Sequence, residues 1–186
     1  MQEKENILRI LSGTKQAIKE GKYAEIKDLS NQTTNTASLA QDPDNIAVAV
    51  IVYSLSKILQ RENYSQLPGW ANFYKIYLSA IDKAILAIQK NDEKALSQNL
   101  ELITSSIEKL SGKLKLYIQD VFRKSRINKA SRIHEHGISK EKTAKLLGIS
   151  LYELASYAGQ KNIVEAPISR IPDVKTRIKL AMDMFQ

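Results

Sequence analysis

Phe73, Ile76, Tyr77, Ala80, Ile81, Ala84, Ile85 and Ile88 recur at three- and four-residue intervals, a spacing that places them on one side of an α-helix but scatters them over both faces of a strand. Only an amphipathic helix buries such a stripe. The same period returns in Leu96, Leu100, Ile103, Ile107 and Leu110, between Glu93 and a stop at Gly112, and in Ile7, Leu8, Leu11 and Ile18, between Glu3 and a stop at Gly21. Asp42-Pro43 is a helix start, because Asp42 can cap free amides and proline at the first position forfeits no hydrogen bond. The run Ile46 to Tyr53 after it has β-branched, strand-like content. The preceding cap and the continued spacing of Leu55, Ile58 and Leu59 nevertheless favour a helix that is apolar on all sides and sits at the centre. A weaker helix carries Tyr23, Ile26 and Leu29 into the polar stretch Ser30 to Ala37, where the sequence does not fix its end. Leu67-Pro68-Gly69 interrupts the pattern. Five helices with short links predict an all-α chain whose N-terminal part is an antiparallel helical bundle.

The 186 residues contain no cysteine, which excludes a disulfide framework and thiolate metal sites. The opening Met1-Gln-Glu-Lys-Glu lacks the charged-then-apolar order of a signal peptide, and Ile46 to Tyr53 falls far short of the roughly 20 apolar residues that span a bilayer. A cytoplasmic protein without membrane contact is expected. The net charge of +8 is unevenly placed: residues 1–112 carry 13 Lys/Arg and 13 Asp/Glu, whereas residues 113–186 carry 15 Lys/Arg against 7 Asp/Glu. Such asymmetry divides the chain into a neutral bundle, 1–112, and a basic module, 113–186, that calls for a polyanion.

The basic module opens with a helix bearing Leu114, Leu116, Tyr117, Ile118, Val121 and Phe122, followed by Arg123, Lys124, Arg126, Lys129 and Arg132, all of one sign and suited to phosphate. Two short helices around a tight turn follow. Ser139 can cap the first; Ala144 is small enough for a close crossing; Leu147 and Ile149 supply core on either side of Gly148, which can take a positive φ. Ser150 and Glu153 form a capping box for the second. Ala144, Gly148, Ile149 and Leu154 stand at the offsets that make this segment resemble prokaryotic helix-turn-helix DNA-binding proteins. Residues 133–159 also resemble the helix-turn-helix of small archaeal and bacterial antitoxins that accompany ribonuclease toxins.

That resemblance implies that the second helix enters the major groove of double-stranded DNA with Ser150, Leu151, Tyr152, Ala155 and Ser156 toward base edges. This face has no Arg, Asn or Gln for bidentate readout, and Glu153 is better suited to capping than to reading cytosine. Lys140, Lys142, Lys145 and Lys161 join the five cations upstream as phosphate contacts. Beyond them, Ile163 to Pro172 reads as an extended arm and Asp173 as the cap of a last helix holding Val174, Ile178, Leu180, Ala181, Met184 and Phe185. A homodimer is expected, since two modest readers on a two-fold axis add their binding energies, with the bundle free to hold a second copy or a protein partner. The alternative is a helical module for protein or RNA without sequence-specific DNA recognition.

Enzymatic readings lack parts. His134 and His136 lie about 200° apart on a helix and cannot readily share a metal, and no Gly-rich phosphate loop is present. Seven residues separate Arg126 from His134, too many for the Arg-then-His spacing of helical ribonucleases of the HEPN type. No enzyme activity, cofactor or metal is expected.

Overall fold

The computed structural model describes residues 3–40, 42–61 and 64–157, apart from the side chains at 35, 39 and 40. Regular structure among them is helical throughout: α1 (Lys4–Lys19), α2 (Tyr23–Ala40), α3 (Pro43–Leu59), α4 (Trp70–Gln89), α5 (Glu93–Glu108), α6 (Gly112–Glu135) and α7 (Lys140–Leu147), with α8 over 151–157. No helix among the described residues is long and apolar enough to cross a membrane. Lys161, the arm and the last helix expected after it lie outside the described residues.

The starts follow the chemistry read from the sequence. The Asp42 carboxylate accepts from the Asp44 N–H at 3.0 Å, with Pro43 in the first turn, and Asp92 accepts from the Ala95 N–H at 2.9 Å. Helix α3 is buried on nearly every side, through Ile46, Val48, Ala49, Ile51, Val52, Leu55 and Ile58. It touches α1, α2, α5, α6 and α7, so it is the hub.

The polar stretch of α2 does not end the helix. Its hydroxyls turn inward along the chain: Thr34 donates to the Ser30 carbonyl at 2.9 Å, Ser38 to the Thr34 carbonyl at 2.8 Å, and Thr33 to the Leu29 carbonyl at 3.1 Å. Bonds of this kind satisfy a buried hydroxyl within the helix. The same small side chains let α2 lie close along α3, where Ser30 donates to the Ala49 carbonyl at 2.7 Å. A sequence that reads as a helix terminus is thus a close-packing surface.

On α4, Phe73, Tyr77, Ala80, Ile81, Ala84 and Ile88 are buried, and Ile76 and Ile85 border the stripe. Tyr77 is fully enclosed, its ring edge-on to Phe73 at 5.7 Å and its hydroxyl donating to the Ile51 carbonyl of α3 at 2.7 Å. Burial pushes the Tyr77 phenol far above its ordinary range, so it stays a donor. Tyr77→Phe keeps the ring and removes the bond, and urea unfolding should show a loss of about 1 kcal/mol. An unchanged midpoint would mean that the hydroxyl contributes nothing net.

One hydrophobic cluster runs from Ile7 through α3 and α4 to Leu154. Helix α6 feeds it with Leu114, Ile118, Val121 and Phe122 at one end and Ala130 and Ile133 at the other. The change of charge near residue 112 therefore has no counterpart in packing.

Candidate nucleic-acid interface

The corner between α7 and α8 is held by local bonds. The Ser139 hydroxyl accepts from the Lys142 N–H at 3.2 Å. Gly148 adopts φ 62° and ψ 39°, a left-handed conformation that disfavours any residue with a Cβ. The Ile149 N–H then reaches the Ala144 carbonyl at 3.1 Å. At the start of α8 the capping box is complete: the Glu153 N–H donates to the Ser150 hydroxyl oxygen at 3.1 Å and the Ser150 N–H to the Glu153 carboxylate at 3.0 Å. The Ser150 hydroxyl also donates to that carboxylate, at 2.9 Å. These bonds from Ser150, backbone first, hold the Glu153 carboxyl below its usual range, with Arg123 at 3.5 Å adding to the effect.

Packing fixes which way α8 faces. Ala144, Leu147 and Leu154 are buried against the core. The Asn128 amide donates to the Tyr157 hydroxyl at 3.0 Å, tying α8 to α6. The opposite face is open: Ser150, Leu151, Ala155 and Ser156 are exposed, and Tyr152 is 79% exposed. All five residues expected to face bases are thus accessible. His134 is more than a surface residue, because its Nδ1–H donates to the Ile138 carbonyl at 2.7 Å and closes the link from α6 to α7.

The cations divide differently from the expectation. Arg123, Lys124, Lys140, Lys142 and Lys145 are exposed, while Arg126 and Arg132 are half-buried. Lys129 is a correction: it has no exposed surface and cannot meet a phosphate. Its ammonium donates to the Asn31 side-chain oxygen at 3.1 Å and lies 4.5 Å from the centre of the Tyr53 ring. Burial first, then the nearby charges of Arg132 and Lys27, lower its pKa to about 7. The physical reason is periodicity, since at 3.6 residues per turn positions 123, 124, 126, 129 and 132 spread around α6 instead of sharing a face.

A cleft of about 610 Å³ opens between the C-terminal half of α3, the middle of α6 and α8. From α3 come Tyr53 and Lys57, with Arg61 just past its end; from α6 Arg123, Lys124 and Asn128; from α8 Tyr152, Ser156 and Tyr157. The α3 set was not anticipated. Its signal is the four-residue spacing of Tyr53, Lys57 and Arg61, a partly wet line that runs off the C-terminal end of a largely buried helix. Burial, then the charges of Lys27 and Arg61, hold the Lys57 ammonium below its ordinary pKa. The lining carboxylates are engaged: Asp120 pairs with Lys124 at 2.7 Å, and Glu153 caps α8.

Set against known proteins, the chain matches no family model, no curated protein and no solved structure.

Proposed function

We propose that this chain is a DNA-binding protein, a transcriptional regulator or antitoxin-like repressor, that docks α8 on duplex DNA. The observation that carries the reading is the capped α7–α8 corner, which buries Ala144, Leu147 and Leu154 and leaves Leu151, Tyr152, Ala155 and Ser156 open at the start of the second helix. That is the face a helix-turn-helix lays in the major groove. Lys140, Lys142 and Lys145 on α7 and Arg123 and Lys124 on α6 flank it and supply phosphate contacts. Selectivity rests on shape, the thymine methyl and a tyrosine hydroxyl, because no bidentate reader is present. Helices α1–α5 form the neutral part, which mediates homodimerisation or holds a protein partner.

Fluorescence anisotropy with duplex from the chain's own promoter and with a scrambled duplex tests this. The own-promoter duplex should bind about tenfold tighter, and Tyr152→Ala should erase most of that margin, worth roughly 1–2 kcal/mol. Equal binding of both duplexes would sink sequence recognition. It would leave the second reading, a module for RNA or an acidic protein, which is favoured by the exposed Leu151 and Tyr152 and the commitment of Glu153 to its cap.

A further inference from the structure

We infer that the cleft between α3, α6 and α8 is a binding site for a nucleotide, an aromatic base carrying a phosphate group. The cleft's volume of about 610 Å³ falls within the range of small-molecule sites, which concentrate a few placed polar groups among apolar and aromatic walls. Its chemistry is two-sided. Lys57 and Arg61 line it, and no acidic side chain pairs with either among the described residues. Arg123 and Lys124 line it from α6, paired with Glu153 at 3.5 Å and Asp120 at 2.7 Å. Phosphate beside Lys57 would offset the repulsion from Lys27 and Arg61 that, after burial, lowers its pKa. Rings line it too: Tyr152 from α8 is 79% exposed, and Tyr53 and Tyr157 are half-buried. The Tyr53 ring already carries the ammonium groups of Lys129 at 4.5 Å and Lys57 at 5.4 Å, so Tyr152 is the ring open to stacking. Tyrosine faces accept any base by stacking, and cations beside them hold the backbone or a terminal phosphate.

Asn128 also lines the cleft. Its amide nitrogen is spent on Tyr157, while its side-chain oxygen is buried beside the cleft and has no partner among the described residues. A buried polar atom left open carries a cost; as it stands the oxygen has no surface open to the cleft, so a base N–H would reach it only after the Asn128 amide turns.

Two sources can present this chemistry: a free nucleotide, or a nucleotide unit of a single strand. Because Tyr152 and Ser156 belong both to the cleft and to the open face of α8, an occupied cleft would also compete with duplex DNA. That consequence alone rests on the DNA reading above.

Isothermal titration of the full chain decides the matter. The probes are the common ribonucleoside 5′-monophosphates, the matching nucleosides, inorganic phosphate and a short single-stranded oligothymidylate. The expected result is micromolar binding of at least one monophosphate, roughly tenfold or more tighter than its nucleoside or phosphate alone, lost in Lys57→Gln with Arg61→Gln and weakened in Tyr152→Ala. Circular dichroism melts of both variants establish that they fold. Oligothymidylate binding tenfold tighter than any monophosphate assigns the site to single strands; the reverse order assigns it to free nucleotides. No heat with any nucleotide or strand, or binding that survives loss of Lys57 and Arg61, overturns the proposal. If monophosphate binds and duplex DNA does not, the site stands and the DNA reading fails.

Discussion

Lys129→Met is expected to raise the unfolding free energy at pH 7 by about 1–4 kcal/mol, the gain typical of exchanging a buried charge for an apolar group of similar volume. Among the described residues the fully enclosed ammonium has one hydrogen bond, to a half-exposed Asn31, and the face of Tyr53. Methionine matches its length and tolerates an irregular site. The pH dependence carries the sign. In the unfolded chain this lysine has its ordinary pKa near 10.5, and in the folded chain it titrates at about 7. Below pH 7 both states hold the proton and the folded state bears the full cost of the buried charge. Between pH 7 and 10.5 the unfolded state binds more protons, so stability rises with pH, by about 4 kcal/mol at most. The difference between the wild type and Lys129→Met, followed by urea unfolding from pH 6 to 10, isolates that contribution. The gap should be widest at pH 6 and should close toward pH 10. A parallel pair of curves, or a variant less stable by more than about 1 kcal/mol, would show that Tyr53 and Asn31 fully compensate a charged lysine.

If α8 docks on duplex DNA as proposed, removing Lys140, Lys142 and Lys145 together by alanine substitution should weaken duplex binding at about 0.1 M salt by two to three orders of magnitude. It should also make the plot of log affinity against log salt shallower by about 3, close to one for each phosphate no longer neutralised. All three side chains are exposed on α7, so stability should stay within about 0.5 kcal/mol. None of them lines the α3–α6–α8 cleft. Nucleotide binding should therefore persist in the triple variant, which separates the two surfaces in one protein. An unchanged salt slope would remove α7 from the DNA interface.

What the sequence made legible was local. The start at Asp42-Pro43, the stripe from Phe73 to Ile88, the turn at Gly148 and the Ser150–Glu153 box each depend on residues within one or two helical turns of one another or on a single repeating period, and each stands as the spacing predicts. Three features failed to show, two of them because they are not local. The hydroxyl-rich part of α2 looks like a terminus until α3 is laid against it, when its small side chains become the reason the two helices approach closely. The cations of α6 were counted along the chain, whereas a helix distributes them around its axis and sends Lys129 inward. The cleft joins Tyr53 to Tyr157 across most of the chain, and no window of sequence contains both.

The shared core has a further consequence for how two copies would address DNA. Leu147 and Leu154 belong to the same cluster as Ile51 and Tyr77, and no tether of free residues separates α8 from the helices available for dimerisation. In a homodimer built through α1–α5, the distance and angle between the two reading helices would be set by the rigidity of packed side chains, not by a linker. Such a dimer would tolerate only one phase between half-sites. Inserting half a turn of duplex between them would turn one half-site to the far side of the double helix, beyond the reach of a protein with no slack to follow it.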